Sequence, residues 1–109
     1  MNVMITARHC EVPAPVQERA ERLMRRMERF DPRVQVIEVI FEADAGAFQA
    51  EARVSIAGGP TVIAQGTDRT VRGALDRMVD RLQRQLRKGR DRERNHQADR
   101  IDPQVTAVA

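Results

Sequence analysis

The chain has 109 residues, a formal charge of +3, 41% hydrophobic residues and no Trp or Tyr, so it can form one small domain with an aliphatic core. Its charge comes from 18 Arg and one Lys against 16 acidic residues. A single Cys excludes an internal disulfide and favours a reducing compartment. No apolar run approaches the roughly 18 residues of a membrane span, and the N-terminus lacks a signal-peptide core. We therefore expect a cytoplasmic protein that does not contact membranes.

The first elements are a strand and a helix. Residues 2–8 alternate apolar and polar side chains, which predicts a half-buried strand. Pro13 and Pro15 follow, and proline is tolerated in the first turn of a helix. Apolar residues then recur every three or four positions, which predicts a helix of about 16 residues. It ends at Asp31-Pro32, because the residue before a proline avoids the helical region.

Three further strands follow. Residues 34–42 are β-branched and almost continuously apolar, which is typical of a covered central strand. Residues 48–56 alternate strictly, so they form the clearest strand of the chain. A Gly-Gly-Pro turn leads into a short fourth strand over residues 61–65, and Gly66 is expected to end it.

The last predicted element is a long amphipathic helix over residues 71–90. Thr67 or Asp68 is expected to cap it, since both side chains can accept a hydrogen bond from a helix N-terminus. Its apolar face is read from residues spaced three and four apart. These residues are Val71, Leu75, Met78, Leu82 and Leu86.

The order β-α-β-β-β-α indicates an α+β domain. A β-α-β unit requires parallel strands with a right-handed crossover, whereas short turns join antiparallel neighbours. Each helix has one apolar stripe, so we expect both to pack side by side on one face of a four-stranded mixed sheet, as in double-stranded-RNA-binding domains. This domain is predicted over residues 1–92, followed by a charged, disordered tail over residues 93–109.

Residues suited to catalysis or metal binding are scarce. Ser55 is the only serine and has no histidine near it in sequence, so a catalytic serine is not expected. His9 and Cys10 are adjacent, but only His96 adds a further soft ligand, and a zinc site needs about four. The sequence therefore predicts neither an enzyme nor a metal or cofactor site, and no small-molecule substrate.

Basic residues instead concentrate on the helices. Residues 68–94 hold nine Arg and one Lys against five acids, whereas residues 33–66 hold two Arg against four acids. Helices packed side by side would merge their basic stripes into one surface, and the alternative is two solvated faces. Without aromatic residues on these faces, RNA binding would be directed at phosphates and helical shape. The stripes are Arg19, Arg22, Arg26 and Arg29, with Arg25 alongside, and Arg77, Arg81, Arg84 and Lys88.

Three segments of the chain resemble the ribosome hibernation promoting factors, a family that includes the ribosome-associated inhibitor protein Y. ITARHCEV is similar to the family's opening strand and loop, and ERLMRRMERF to the basic part of its first helix. ALDRMVDRLQRQLRKGR resembles the signature of its second helix and is the most specific segment. The similarity covers about residues 1–92, and the family's element order is the one predicted above.

The resemblance implies a translation inhibitor of stationary phase or stress that has no cofactor and is a monomer when free. Its partner would be the small ribosomal subunit with its 16S rRNA, alone or in the whole ribosome. The protein would occupy the channel used by mRNA and tRNA, and would act by steric occlusion. The residues implied to contact rRNA are Arg22, Arg25, Arg26, Arg29, Arg81, Arg84, Arg87, Lys88 and Arg90, with Arg8 and His9 assisting.

Two other hypotheses stay open. Relatives have been described as modulators of an alternative sigma factor, so the chain could be a protein-binding regulator. It could also be a divergent paralogue that keeps the fold without binding ribosomes. The second idea comes from residues 70–73, where the family usually has an aromatic residue and this chain has Thr-Val-Arg-Gly. Gly73 also lowers helix propensity by about 1 kcal/mol relative to Ala.

Overall fold

A computed structural model describes the backbone of residues 1–108 and the side chains of residues 1–92. The predicted β-α-β-β-β-α order is confirmed, and the first helix ends in a 3₁₀ segment. No helix among the described residues is both long enough and apolar enough to span a membrane. The elements are β1 (Asn2–Arg8), α1 (Ala14–Arg25), the 3₁₀ segment (Arg26–Arg29), β2 (Val34–Asp44), β3 (Ala47–Ile56), β4 (Val62–Asp68) and α2 (Val71–Val108).

The four strands form one mixed sheet in the order β1-β2-β3-β4. β1 and β2 are parallel, and the other two pairs are antiparallel, as predicted. Because β3 reverses the chain and β4 reverses it again, β4 runs in the same direction as β1 and β2. Each helix returns along the sheet after a strand of that direction, so α1 and α2 run parallel to each other. Both helices cover the same face of the sheet, α1 over β1 and α2 over β3 and β4.

The core lies between this sheet face and the helices. Its strand side chains alternate with side chains that point to the other face, as the period of a strand requires. Most of the latter are polar, and the apolar exceptions include Met4, Ile40 and Ile63. Small side chains on β3 let the helices approach closely, while Met and Leu fill the remaining space. Fully buried members are Ile37, Val39 and Phe41 on β2, Ala50, Ala52 and Val54 on β3, Met24 and Met27 on the first helix and its 3₁₀ segment, and Leu75, Met78 and Leu82 on α2.

Gly66 does not end β4, contrary to the sequence prediction, because the strand continues to Asp68. Gly66 pairs with Ala50 of β3 and lies beneath α2. A Cβ atom at this position would stand 2.4 Å from the backbone nitrogen of Met78 and 2.5 Å from the carbonyl oxygen of Ala74. The glycine is therefore required by the close approach of helix and strand backbones, and it marks no break in the strand.

Thr70, rather than Thr67 or Asp68, caps α2. Its Oγ1 accepts a hydrogen bond of 2.9 Å from the backbone N–H of Gly73, the geometry of a side-chain N-cap. The Asp68 carboxylate supports the cap by accepting bonds from the N–H of Thr70 at 3.2 Å and from its hydroxyl at 3.0 Å. A Cβ on Gly73 would overlap Asp68 Oδ2, so glycine at this position makes room for the capping carboxylate.

The C-terminal boundary differs from the sequence prediction. Regular structure was expected to end near Gly89, because the following residues have no sustained apolar period. The α2 backbone instead continues through Val108. The side chains of residues 93–109 lie outside the described residues, so the separation of a charged, disordered tail from a domain over residues 1–92 stays a prediction.

Candidate nucleic-acid interface

Two contacts along the first helix fix its position beside α2. In the middle of α1, Arg19 Nε donates to Asp76 Oδ1 at 3.0 Å. Beyond its end, the Arg87 guanidinium carbon lies over the Phe30 ring, 4.8 Å from the ring centroid. Both contacts join residues 57 apart in the chain, so the two helices keep one register along their length. This confirms two parallel helices packed side by side.

Four arginines lie on one side of the first helix and its 3₁₀ segment, the side that faces α2. Arg19 faces α2, and Arg22 and Arg26 follow it three and seven residues later, so they share its side of the helix. Arg29 follows Arg26 by one turn of the 3₁₀ segment and lies on that side too. Together with Arg87 of α2, which points at Phe30, these residues are called the interhelix arginines: Arg22, Arg26, Arg29 and Arg87.

The interhelix arginines are exposed, and within residues 1–92 none of them forms an ion pair. Arg25 differs, because its Nη2 lies 3.0 Å from Glu21 Oε1, one turn earlier. Exposed guanidinium groups without partners keep all their N–H donors available for an anion. The groove between the helices is therefore the part of this surface best suited to phosphate groups.

The basic stripe of α2 runs along a different flank from the one expected. Arg81 Nη1 donates to the carbonyl oxygen of Gln65 on β4 at 2.9 Å, and Arg77 Nε lies 3.6 Å from Asp68 Oδ1 at the end of β4. Arg84 and Lys88 continue this stripe at helical spacing, and Arg84 Nη2 also lies 3.1 Å from Asp80. The stripe thus follows the β4 side of α2. Arg72, Arg87 and Arg90 lie instead on the flank that faces the first helix and Asp31.

Arg90 belongs to a cluster around a buried carboxylate. Asp31 is 1% exposed and accepts hydrogen bonds from Arg33, at 3.0 Å from the backbone N–H and at 3.0 and 2.8 Å from the guanidinium. Arg90 Nη1 lies 3.8 Å from the same carboxylate. The side-chain hydrogen bond from Arg33 lowers the pKa of Asp31, against the opposing effect of burial. Arg90 therefore connects the end of the first helix to α2 and is less free than its neighbours to bind a ligand.

Arg8 and His9 lie away from the groove. Arg8 is level with Glu42 in the β1–β2 ladder and lines a shallow hollow with Glu42, Glu51 and Arg53 on the sheet face that no helix covers. His9 follows β1 with a φ of 57° and is exposed. The structure thus brings Arg87 and Arg90 of α2 beside the end of the first helix. The predicted stripe of α2 lies on the β4 flank, and Arg8 and His9 lie outside both groups.

Sequence reasoning missed the roles of Phe30 and Asp31. Phe30 was assigned only to the apolar stripe of the first helix, and Asp31 only to the Asp-Pro pair that ends it. Their partners on α2 are 57 and 59 residues away, and no local pattern gives that register. The Asp-Pro-Arg sequence could have indicated the role of Asp31, because Arg33 is only two residues away and donates a hydrogen bond to the Asp31 carboxylate.

The sequence profile of one family matches residues 3–94. That family is described as sigma 54 modulation protein / S30EA ribosomal protein. The chain belongs to this family. The match covers the sheet from residue 3, the first helix, α2 as far as residue 94 and all the basic residues discussed above, and it confirms the resemblance found in the sequence.

Individual relatives agree with the family match. A ribosome hibernation promoting factor from Pseudomonas putida is 27% identical over 95 residues, which are 87% of this chain and 92% of that protein. The N-terminal domain of Thermus thermophilus protein Y is 26% identical with a TM-score of 0.70, over 81% of this chain and 98% of that structure. A ribosomal subunit interface protein from Coxiella burnetii shares the fold, with a TM-score of 0.76 at 21% identity over 84% and 99% of the two chains. These proteins are named for the ribosome and not for a reaction, so the prediction of a non-enzyme is confirmed.

Proposed function

We propose that this protein is a ribosome hibernation factor that binds the small ribosomal subunit in the channel used by mRNA and tRNA. The observation that carries the proposal is the set of exposed interhelix arginines on a chain whose family includes hibernation promoting factors. Guanidinium forks match phosphate geometry, and several of them held by rigid helices bind a phosphate backbone without large ordering costs.

The proposed mechanism is steric occlusion. The helical face of the domain would lie against rRNA phosphates, with the interhelix arginines at the centre and Arg25, Arg81, Arg84 and Lys88 around them. A bound domain would exclude mRNA and tRNA from the channel, so translation would stop without any chemical step. Arg8 and His9 are on or beside the opposite sheet face and do not form part of this proposed surface.

Sedimentation tests this proposal directly. Purified protein is mixed with separated small and large ribosomal subunits, and each mixture is centrifuged through a sucrose gradient at low salt. We expect the protein to sediment with the small subunit only, and to be displaced when mRNA and initiator tRNA are added together. Sedimentation with neither subunit, or binding that mRNA and tRNA leave unchanged, would contradict the proposal.

A matched pair of variants connects the binding to the groove. Arg26→Gln removes an interhelix arginine, whereas Arg53→Gln removes one exposed arginine from the uncovered sheet face. Both substitutions change the net charge by the same amount. We expect only Arg26→Gln to weaken binding to the small subunit, and an equal loss in both variants would mean that net charge alone is responsible.

A protein-binding regulator is the second candidate, and its support is the sigma 54 modulation description of the matched family. A basic groove suits an acidic protein segment as well as it suits RNA. The subunit experiment separates the two functions, because a sigma-factor modulator would remain at the top of both gradients.

A further inference from the structure

The tertiary structure produces a stacking surface that neither helix has by itself. The Arg87 guanidinium lies over the ring of Phe30, with 4.8 Å between its carbon and the ring centroid. Phe30 is half-buried and packs against the core, while Arg87 is exposed. The guanidinium is therefore backed by an aromatic ring on one side and faces solvent on the other.

Neighbouring contacts hold both members of this pair in place. Asp31, which follows Phe30, is almost fully buried and is bonded by Arg33. The same carboxylate lies 3.8 Å from Arg90, one turn of α2 beyond Arg87, and Leu86 beside Arg87 is 1% exposed. Groups that are ordered before a ligand arrives reduce the conformational entropy lost on binding.

A backed guanidinium suits an unpaired nucleobase. Its plane is weakly hydrated and stacks on flat π-systems, while its N–H donors point outward at the edge. Unpaired RNA bases are bound in this way by arginine planes as well as by aromatic side chains. Arg26 and Arg29 stand beside Phe30 on the same groove, so positive charge for the adjoining phosphates is present as well.

We propose that Arg87, backed by Phe30, is a stacking platform for an unpaired nucleobase, so that the groove binds single-stranded RNA in preference to duplex RNA. The sequence by itself predicts that RNA is recognised only through its phosphates and its helical shape, because no aromatic residue lies on a polar helix face. This inference rests on the proposed function, in which the groove binds RNA, and it specifies which part of an RNA the groove recognises.

The test uses the full chain and two RNAs with equal numbers of phosphates. One is a short single-stranded RNA that contains the fluorescent base 2-aminopurine, and the other is a duplex hairpin. Arg87→Lys keeps the charge and removes the plane, and Arg53→Lys is the matched control because Arg53 is exposed on the uncovered sheet face, outside the proposed RNA surface. We expect Arg87→Lys to lower single-strand affinity at least about fivefold and to reduce fluorescence quenching, with duplex affinity unchanged. Arg53→Lys should behave as wild type.

Phe30→Leu provides an independent variant, with folding checked by circular dichroism. It keeps an apolar side chain in the core, removes the aromatic backing and should reproduce the Arg87→Lys result. The inference is overturned if wild type shows no preference for single strands, or if Arg87→Lys loses affinity for both RNAs equally. Subunit sedimentation of the same variants tests the proposed function separately. A protein that prefers single-stranded RNA but binds no subunit would contradict only the proposed function, and a protein that binds the small subunit without this RNA preference would contradict only the stacking platform.

Discussion

The helical face and the uncovered sheet face contain the same basic residue, arginine, in different surroundings. On the sheet face, Arg53 Nε donates to Glu51 at 2.8 Å, Gln65 donates to the same carboxylate at 2.7 Å, and Arg8 lies beside Glu42. On the helical face, the interhelix arginines have no carboxylate partner within residues 1–92. On the sheet face, the carboxylate of Glu51 lies two residues from Arg53 on the same strand, and Glu42 is level with Arg8 on the next strand, whereas helical spacing gathers like charges on the helical face. Local pairing, more than the number of arginines, therefore distinguishes the two faces.

Gly66→Ala is expected to have the largest effect on stability, and it tests the sheet face that the helices cover. Gly66 faces the helices and its neighbour Thr67 does not, because successive strand residues point to opposite faces. The new methyl group would meet the α2 backbone, whose atoms lie within 2.5 Å of its position. We expect a loss of about 3 kcal/mol in the free energy of unfolding, measured by urea denaturation. Thr67→Ala should change it by less than about 0.5 kcal/mol, and similar losses in both variants would contradict the described contact.

Asp31→Asn tests the cluster that connects the helices. The substitution leaves Arg33 and Arg90 without their carboxylate, and because both arginines are partly exposed we expect a loss of about 2 kcal/mol, below the range for fully buried pairs.

The same variant has a defined pH dependence. The pKa of Asp31 is lowered in the folded protein, so its contribution is present above the unfolded value of about 3.9 and is lost as the pH falls through the folded value. Unfolding curves of wild type and variant should therefore differ at pH 7 and converge in strong acid. A difference that is constant with pH would show that the charge of Asp31 is not responsible.

The cap of α2 gives a smaller effect. Thr70→Ala removes the hydroxyl that accepts from the Gly73 N–H, and loss of such a cap costs about 1 kcal/mol. Thermal unfolding followed by circular dichroism measures this loss. Thr61→Ala is a suitable control, since Thr61 is exposed in the turn before β4 and forms no cap. An equal loss of stability in the two variants would show that Thr70 does not cap α2.

Glu51→Gln is expected to have the smallest effect on stability, and it examines the sheet face itself. Hydrogen bonds from Gln65 and then Arg53 lower the pKa of Glu51, so its contribution is present at neutral pH and is lost in acid. Arg53 is 52% exposed, which limits this contribution to about 0.5 kcal/mol. Unfolding should change little, and binding to the small subunit should stay at the wild-type level. Stronger subunit binding in this variant would mean that the sheet face also meets RNA.

Local patterns predicted most of the fold. Strand alternation at residues 48–56 and the apolar stripe of α2 depend only on neighbouring residues, and both are confirmed. Gly66 was misassigned because its partner is the backbone of a helix that lies later in the chain, which no strand pattern reveals. Thr70 was missed as the cap because three possible capping residues, Thr67, Asp68 and Thr70, lie just before α2, and only backbone geometry selects among them.

The candidate site was predicted only in part, because local patterns show which residues share a helix face but not which faces meet. Helical spacing identified Arg22, Arg26 and Arg29 as one stripe, since that information is local. The sequence does not show which flank of α2 faces the first helix, because this depends on how the two helices are aligned in the folded protein. The contact between Phe30 and Arg87 identifies that flank. Gly73 also has a structural account, because it makes room for the Asp68 carboxylate behind the cap.

The most direct measurement is the salt dependence of binding to the small ribosomal subunit. A triple variant with Arg22, Arg26 and Arg29 changed to Gln is compared with a control in which Arg8, Arg53 and Arg69, which are exposed and lie outside the proposed surface, are changed to Gln. Each lost phosphate contact lowers the slope of log K against log salt by roughly 0.7–0.9, so the first variant should lose about two to three units of slope and bind more weakly. The control should keep the wild-type slope. Equal slopes in all three proteins would contradict the claim that the groove between the helices meets the ribosome.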